Sequence, residues 1–104
     1  MERVGFTMRI LPGREAEYRH RHAAVWPEML EALRAAGARN YSIFVRGADL
    51  FAYLEVDDFD AFRAAMAASP VNDRWQAEMA ALIDPLTDPA TGFHQRLDEI
   101  FRLD

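Results

Sequence analysis

Apolar and polar positions alternate along the first strand-like stretch, residues 3 to 11. Val4, Phe6, Met8 and Ile10 fall on one side, and Gly5, Thr7 and Arg9 on the other. That period predicts a strand with one apolar face. Pro12-Gly13 then makes a turn. From Arg14 to about Ala36 the apolar spacing becomes helical, and Gly37 is a natural C-terminal stop. The run NYSIFVRGADLFAYLEV predicts a hairpin that turns near Arg46 to Asp49. DDFDAFRAAMAAS opens on capping aspartates and sets Phe59, Phe62 and Met66 at helical spacing. In SPVNDRWQAEMAALIDP, Ser69 is the N-cap and Pro70 stands in the first turn. The stripe of that helix is Val71, Trp75, Met79 and Leu82. DPLTDPATG reads as a loop, and LDEIFRLD as a candidate final strand.

The order is β, α, β, β, α(α), β. It predicts an α+β chain of ferredoxin-like type, one domain over residues 1–104, with an antiparallel sheet and helices on one face. In the hairpin both faces carry bulky apolar groups. Tyr41, Ile43 and Val45 alternate with Ser42 and Phe44, and Leu50, Ala52, Leu54 and Val56 alternate with Phe51 and Tyr53. Helices on one face leave the other set wet. A second copy, sheet against sheet, covers it and makes a dimeric α+β barrel. A monomer with an exposed aromatic pocket is the other reading.

Composition narrows the function. Hydrophobic residues make up 51% of the 104, which argues against disorder, and the net charge of -5 disfavours a nucleic-acid or anionic-membrane partner. There is no cysteine, so disulfides, thiolate metal sites and cysteine nucleophiles are excluded, and a cytoplasmic setting is expected. MERVGFTMRILPGRE holds no apolar run of signal-peptide length, and no segment approaches a membrane span. No repeat or low-complexity tract interrupts the chain. No Gly-rich phosphate loop, dinucleotide fingerprint or nucleophile elbow is present either.

The chemistry-bearing stretch is AEYRHRHAAVWPEML, residues 16–30. On a helix Tyr18, His22, Val25/Trp26, Met29 and Leu33 share a face. His20 lies two residues from His22 and points elsewhere; two histidines at that spacing do not chelate one metal. Pro27 has no N–H for the carbonyl of Ala23 and disfavours helical geometry at Trp26. A break is therefore expected between about His22 and Pro27, leaving His22 near a helix end. One reading makes His22 a hydrogen-bonded histidine on a half-buried face, and Tyr18, Tyr41 and Trp75 core packing. The other makes them a sugar site: aromatic faces pack on the C–H side of a sugar ring, phenols bond its hydroxyls, and an imidazole moves protons near neutrality.

EYRHRHAAVWPEMLEALRAAGARNYSIF resembles the L-rhamnose mutarotase family. The shared pattern is Tyr18, His22 four residues on, Trp26-Pro27-Glu28, the turn at Gly37 and the strand opening Asn40-Tyr41. RWQAEM in the late helix, the DP loop and the ending LDEIFRLD extend the likeness over essentially the whole chain. The resemblance implies a small homodimeric α+β enzyme that interconverts the α and β anomers of L-rhamnose, or a related deoxy-sugar, without a cofactor or a metal. It implies His22 as the proton donor in ring opening, with Tyr18, Tyr41, Trp75 and Gln76 contacting the sugar. The family often carries a Trp-Trp pair where this chain has Trp75-Gln76, so the sugar is less fixed than the reaction. Related scaffolds also host monooxygenase-type enzymes, and a non-catalytic sugar-binding module is a further alternative.

Overall fold

The computed structural model describes residues 1–104. The alternating start forms β1 (Glu2–Ile10), with Val4, Phe6, Met8 and Ile10 all buried. The long helical run is two helices, α1 (Glu15–Ala23) and α2 (Pro27–Ala35). Trp26 is extended at φ -55° and ψ 133°, and Pro27 opens α2 at its first position. The break thus falls where a proline's missing donor and its steric effect on the preceding residue put it. α2 ends in a Schellman arrangement: Gly37 N–H donates to the Arg34 carbonyl and Ala38 N–H to that of Leu33, with Gly37 at φ 100°.

β2 (Arg39–Arg46) and β3 (Asp49–Val56) form the hairpin. α3 (Phe59–Ala67) and α4 (Pro70–Met79) follow, each capped as their sequences predict. Asp58 accepts from the Ala61 N–H at 3.0 Å and Ser69 from that of Asn72 at 3.2 Å. Two short strands, β4 (Ile83–Asp84) and β5 (Arg96–Leu97), complete the sheet.

The sheet order is β2-β3-β1-β4, and every pairing is antiparallel. This is the ferredoxin-like order, with β1 and β3 central and the hairpin strand β2 at one edge. Leu50, Ala52, Leu54 and Val56 join the buried side of β1 to make the sheet's half of the core. Phe59, Phe62, Met66, Trp75 and Met79 supply the helical half. The opposite sheet face stays bare: Phe44 is 64% exposed, Phe51 43% and Leu97 47%.

The C-terminus departs from the sequence expectation. LDEIFRLD is not a strand; only Arg96–Leu97 pair with β1, at Phe6 and Gly5, and residues 98–104 run on without regular structure. Ile83–Asp84, absent from the sequence expectation, take the other end of the same edge against Ile10 and Arg9. The edge strand is therefore split in two, with residues 85–95 looping out between the pieces. Pro85 and the polar, glycine-containing run behind it cannot continue a ladder, which explains the interruption.

Candidate active site

α1 presents its chemistry in its last turn. His22 and Tyr18 are one turn apart and their rings stack, 4.1 Å between centroids at 28°. The same pair is tied through the backbone, His22 Nδ1 lying 3.1 Å from the Tyr18 carbonyl oxygen. A carbonyl only accepts, so Nδ1 carries the hydrogen and Nε2 of the neutral ring carries a lone pair. The end of a helix favours a cation. Burial nonetheless wins at His22 and lowers its pKa below the ordinary histidine value, the bond to Tyr18 opposing only in part.

α4 closes on this group. Trp75 meets His22 edge to face at 5.5 Å and Trp26 at 5.1 Å. Two ion pairs hold the helices together around these rings: Arg21 to Glu78 at 2.7 Å joins α1 to α4, and Arg74 to Glu28 at 3.1 Å joins α2 to α4. Trp26 exists as a contact because Pro27 turns the chain there, so the break that frees His22 also supplies a wall for Trp75.

Tyr41 arrives from β2. The β2–β3 register slips between Arg39 and Ser42, and Asn40 takes the left-handed conformation at φ 49° while its amide donates to Glu55 at 2.8 Å. Asparagine tolerates that conformation, and such a bulge re-aims the next side chain. Tyr41 ends 6.2 Å from Phe6 on the helix side of the sheet. It is 36% exposed as a residue, so the burial that raises its phenol pKa is that of the hydroxyl end; Tyr18 adds to the rise. Burial pushes Tyr18 up to about 12. Both phenols therefore stay protonated throughout the neutral range and act as hydrogen-bonding groups.

A cavity of about 830 Å³ opens among β1, β2, α2, α3, α4 and the 85–95 loop. Tyr41, Trp75 and Gln76 line it, with Asn72, Thr87 and His94. Tyr18 and His22 line a smaller recess of about 320 Å³ against Ile43, Val45 and Leu50. Trp75 lines the larger cavity and meets His22 of the smaller recess at 5.5 Å between ring centroids. Of the residues the sequence singles out, Tyr18, His22 and Trp75 are thus in one contacting group, Tyr41 neighbours it, and Gln76 lies on the same cavity with its amide donating to Asn72 Oδ1 at 3.1 Å. His20 is exposed on α1 and outside it. Asn72, Thr87 and His94 are not legible as site residues in the sequence; the one hint is a histidine beside an aromatic in GFHQ.

No enclosed polar side-chain atom lacks a partner anywhere in the fold. Tyr18 Oη, Trp75 Nε1 and His22 Nε2 make no hydrogen bond within the chain, so all three reach open space rather than being sealed in. Polar atoms left free on aromatic walls are what a polar, ring-shaped molecule requires.

The family model for L-rhamnose mutarotase matches residues 3–103. The chain belongs to the L-rhamnose mutarotase family. An L-rhamnose mutarotase of Listeria monocytogenes serotype 4b (strain F2365) is 46% identical over 85 residues, covering 80% of this chain and 81% of its own. That of Bacillus subtilis (strain 168) is 41% identical over 106 residues and covers both chains fully. Among solved structures, an L-rhamnose mutarotase from Formosa agariphila superposes with a TM-score of 0.80 at 27% identity over the whole of both chains. Tetracenomycin F2 cyclase from Streptomyces glaucescens, a type-II polyketide cyclase, superposes at 0.67 with 17% identity and shares the fold alone. The L-rhamnose mutarotase scaffold is therefore one on which site residues, not architecture, decide the chemistry.

Proposed function

We propose that this protein interconverts the α and β anomers of L-rhamnose by acid–base ring opening, with His22 as the proton donor. The observation that carries the reading is the fixing of His22: Nδ1 is held by the Tyr18 carbonyl, the ring is wedged between Tyr18 and Trp75, and Nε2 is free. An imidazole so anchored has one nitrogen to work with and one orientation to work in.

The step needs little else. The imidazolium gives its Nε2 proton to the ring oxygen, and the bond from that oxygen to the anomeric carbon breaks. The anomeric hydroxyl proton leaves to water, and its oxygen becomes the aldehyde carbonyl. Rotation about the adjacent carbon–carbon bond presents the other carbonyl face, and the same transfers in reverse close the second anomer. Burial makes the His22 imidazolium a stronger acid than a free one, which favours donation. Trp75 offers a flat apolar wall to the sugar's C–H side, and Tyr18, Tyr41 and Gln76 offer hydrogen bonds to its hydroxyls. No metal or organic cofactor enters this scheme.

The assay is anomer exchange itself. Freshly dissolved α-L-rhamnose equilibrates faster with the protein than without it, read by polarimetry or by saturation-transfer NMR. Binding of the sugar with no faster exchange is the result that makes the protein a binding module instead.

The same proposal includes a homodimer. Phe44, Phe51 and Leu97 lie on the uncovered sheet face, and Ile100, Phe101 and Leu103 of the tail are 96%, 78% and 85% exposed. A second copy, sheet to sheet, is the occupant that covers this exposed apolar surface.

A further inference from the structure

The split edge strand gives the large cavity a wall that the opening helices do not supply. Residues 85–95 leave the sheet after β4 and return at β5, folding over the helix side. The loop is held firmly. Asp88 N–H donates to the Phe93 carbonyl at 2.7 Å, Gln95 N–H to that of Leu86 at 3.0 Å, and Thr7 N–H to that of Gln95 at 3.2 Å. Phe93 packs edge-on against both Phe6 and Phe59, each at 5.1 Å.

At the end of this loop His94 lies flat on Phe6, 4.9 Å between centroids at 10°. Its Nδ1 is 2.7 Å from the Pro85 carbonyl oxygen. As at His22, that oxygen only accepts, so Nδ1 bears the hydrogen and Nε2 keeps a lone pair. Nε2 has no partner within the chain and is not enclosed, and His94 lines the large cavity together with Tyr41 and Trp75. The charged side chains on that wall, Asp60 and Arg63 of α3, face each other at 3.9 Å.

We propose that His94 is a substrate-contacting residue whose Nε2 accepts a hydrogen bond from a hydroxyl of the bound aldose. The inference rests on the mutarotase reading of the cavity. Burial holds the His94 imidazole below the usual histidine range, which keeps Nε2 an acceptor at neutral pH. The helix face brings the donors Trp75 Nε1–H and the Gln76 amide; His94 brings an acceptor from the opposite end of the chain. A site that bonds a particular hydroxyl discriminates strongly against the sugar lacking it, so His94 is also a specificity element.

The test begins with the unaltered protein, labelled with nitrogen-15 at histidine and titrated with L-rhamnose. His94 Nε2 moves upfield by several ppm as the sugar saturates, while His20 stays still. Kinetics of two variants accompany it. His94→Asn keeps a donor for the Pro85 carbonyl and removes Nε2; KM rises about tenfold, the loss of one hydrogen bond, with kcat within about threefold. His94→Gln sets an amide oxygen near the Nε2 position and recovers part of that loss, which a purely structural role does not explain. A His94 signal that ignores the sugar while His22 responds overturns the proposal. So does an unchanged KM in His94→Asn, or a loss confined to kcat. Failure of the unaltered protein to speed anomer exchange counts against the mutarotase reading alone, because the Nε2 shift still decides whether His94 touches the sugar.

Discussion

His22 and Tyr18 are joined twice, by ring stacking at 4.1 Å and by the 3.1 Å bond from Nδ1 to the Tyr18 backbone carbonyl. The second link does not involve the Tyr18 hydroxyl, so the phenol's two roles separate. Tyr18→Phe retains the stack and the backbone bond and removes only Oη. KM for L-rhamnose rises severalfold and the melting temperature barely moves. Steady-state exchange kinetics beside a thermal melt check this. A large fall in kcat with unchanged KM assigns Oη to proton transfer instead.

The pH dependence follows from His22 as donor. Burial lowers its pKa, so at neutral pH only a minority of molecules carry the imidazolium. Above that pKa the protonated fraction falls about tenfold per pH unit. The enzymatic exchange rate therefore rises as pH falls from 8 toward 6 and levels off below the ordinary histidine value. Saturation-transfer NMR across this range, corrected for buffer catalysis, gives the profile. A rate that drops on acidification makes His22 the base.

Stability moves the other way. His22 and His94 both have folded pKa values lowered by burial. Their neutral forms contribute stability that is fully present above about pH 6.5, the unfolded value. That contribution is lost as pH falls through the lower folded values. The melting temperature drops between pH 7 and pH 5, and the drop is smaller in His94→Asn. Scanning calorimetry at both pH values tests it; equal drops in the two proteins reject a contribution from His94.

Gln76 stands on the cavity wall and is braced by Asn72 at 3.1 Å. Gln76→Trp replaces an amide contact with a stacking surface. Relative activity among L-rhamnose, L-fucose and other deoxy-aldoses shifts, while the melt is unchanged, because the residue is exposed on α4. Identical sugar ranking in the two proteins removes Gln76 from the specificity determinants. Trp75 does not admit so clean a test. It is 6% exposed, and deleting its ring costs about 3–5 kcal/mol.

Sedimentation at micromolar concentration tests the sheet-face dimer. About twice the chain mass is expected, and Phe51→Arg, which puts a charge in the middle of the bare face, reduces it to one. A monomer before any substitution contradicts the proposed assembly.

The sheet, its helices and the break at Pro27 were legible in sequence because each follows from local rules. Period two made β1, and a missing proline N–H and its steric effect ended α1 before Trp26. The caps at Asp58 and Ser69 are single side chains bonding their own helix. The meeting of Tyr18, His22 and Trp75 was legible only through the resemblance, since nothing local relates α1 to α4. His94 was invisible for a related reason. It reaches the cavity because the edge strand splits, and that split depends on β1 offering pairing positions at both Ile10 and Phe6. The tail misled: LDEIFRLD has strand-like alternation, but in the monomer its exposed Ile100, Phe101 and Leu103 find no ladder to join.

The most direct test of the account is anomer exchange in His22→Ala, read by saturation-transfer NMR with a thermal melt on the same sample. His20→Ala is the control, since His20 is exposed and outside the aromatic group. General acid–base groups contribute roughly 10²–10⁴-fold, and His22→Ala is expected to lose catalysis on that scale. The protein stays folded, and His20→Ala remains close to the unaltered rate. Full activity in His22→Ala, or a loss accounted for wholly by unfolding, contradicts the account and leaves His22 a packing residue.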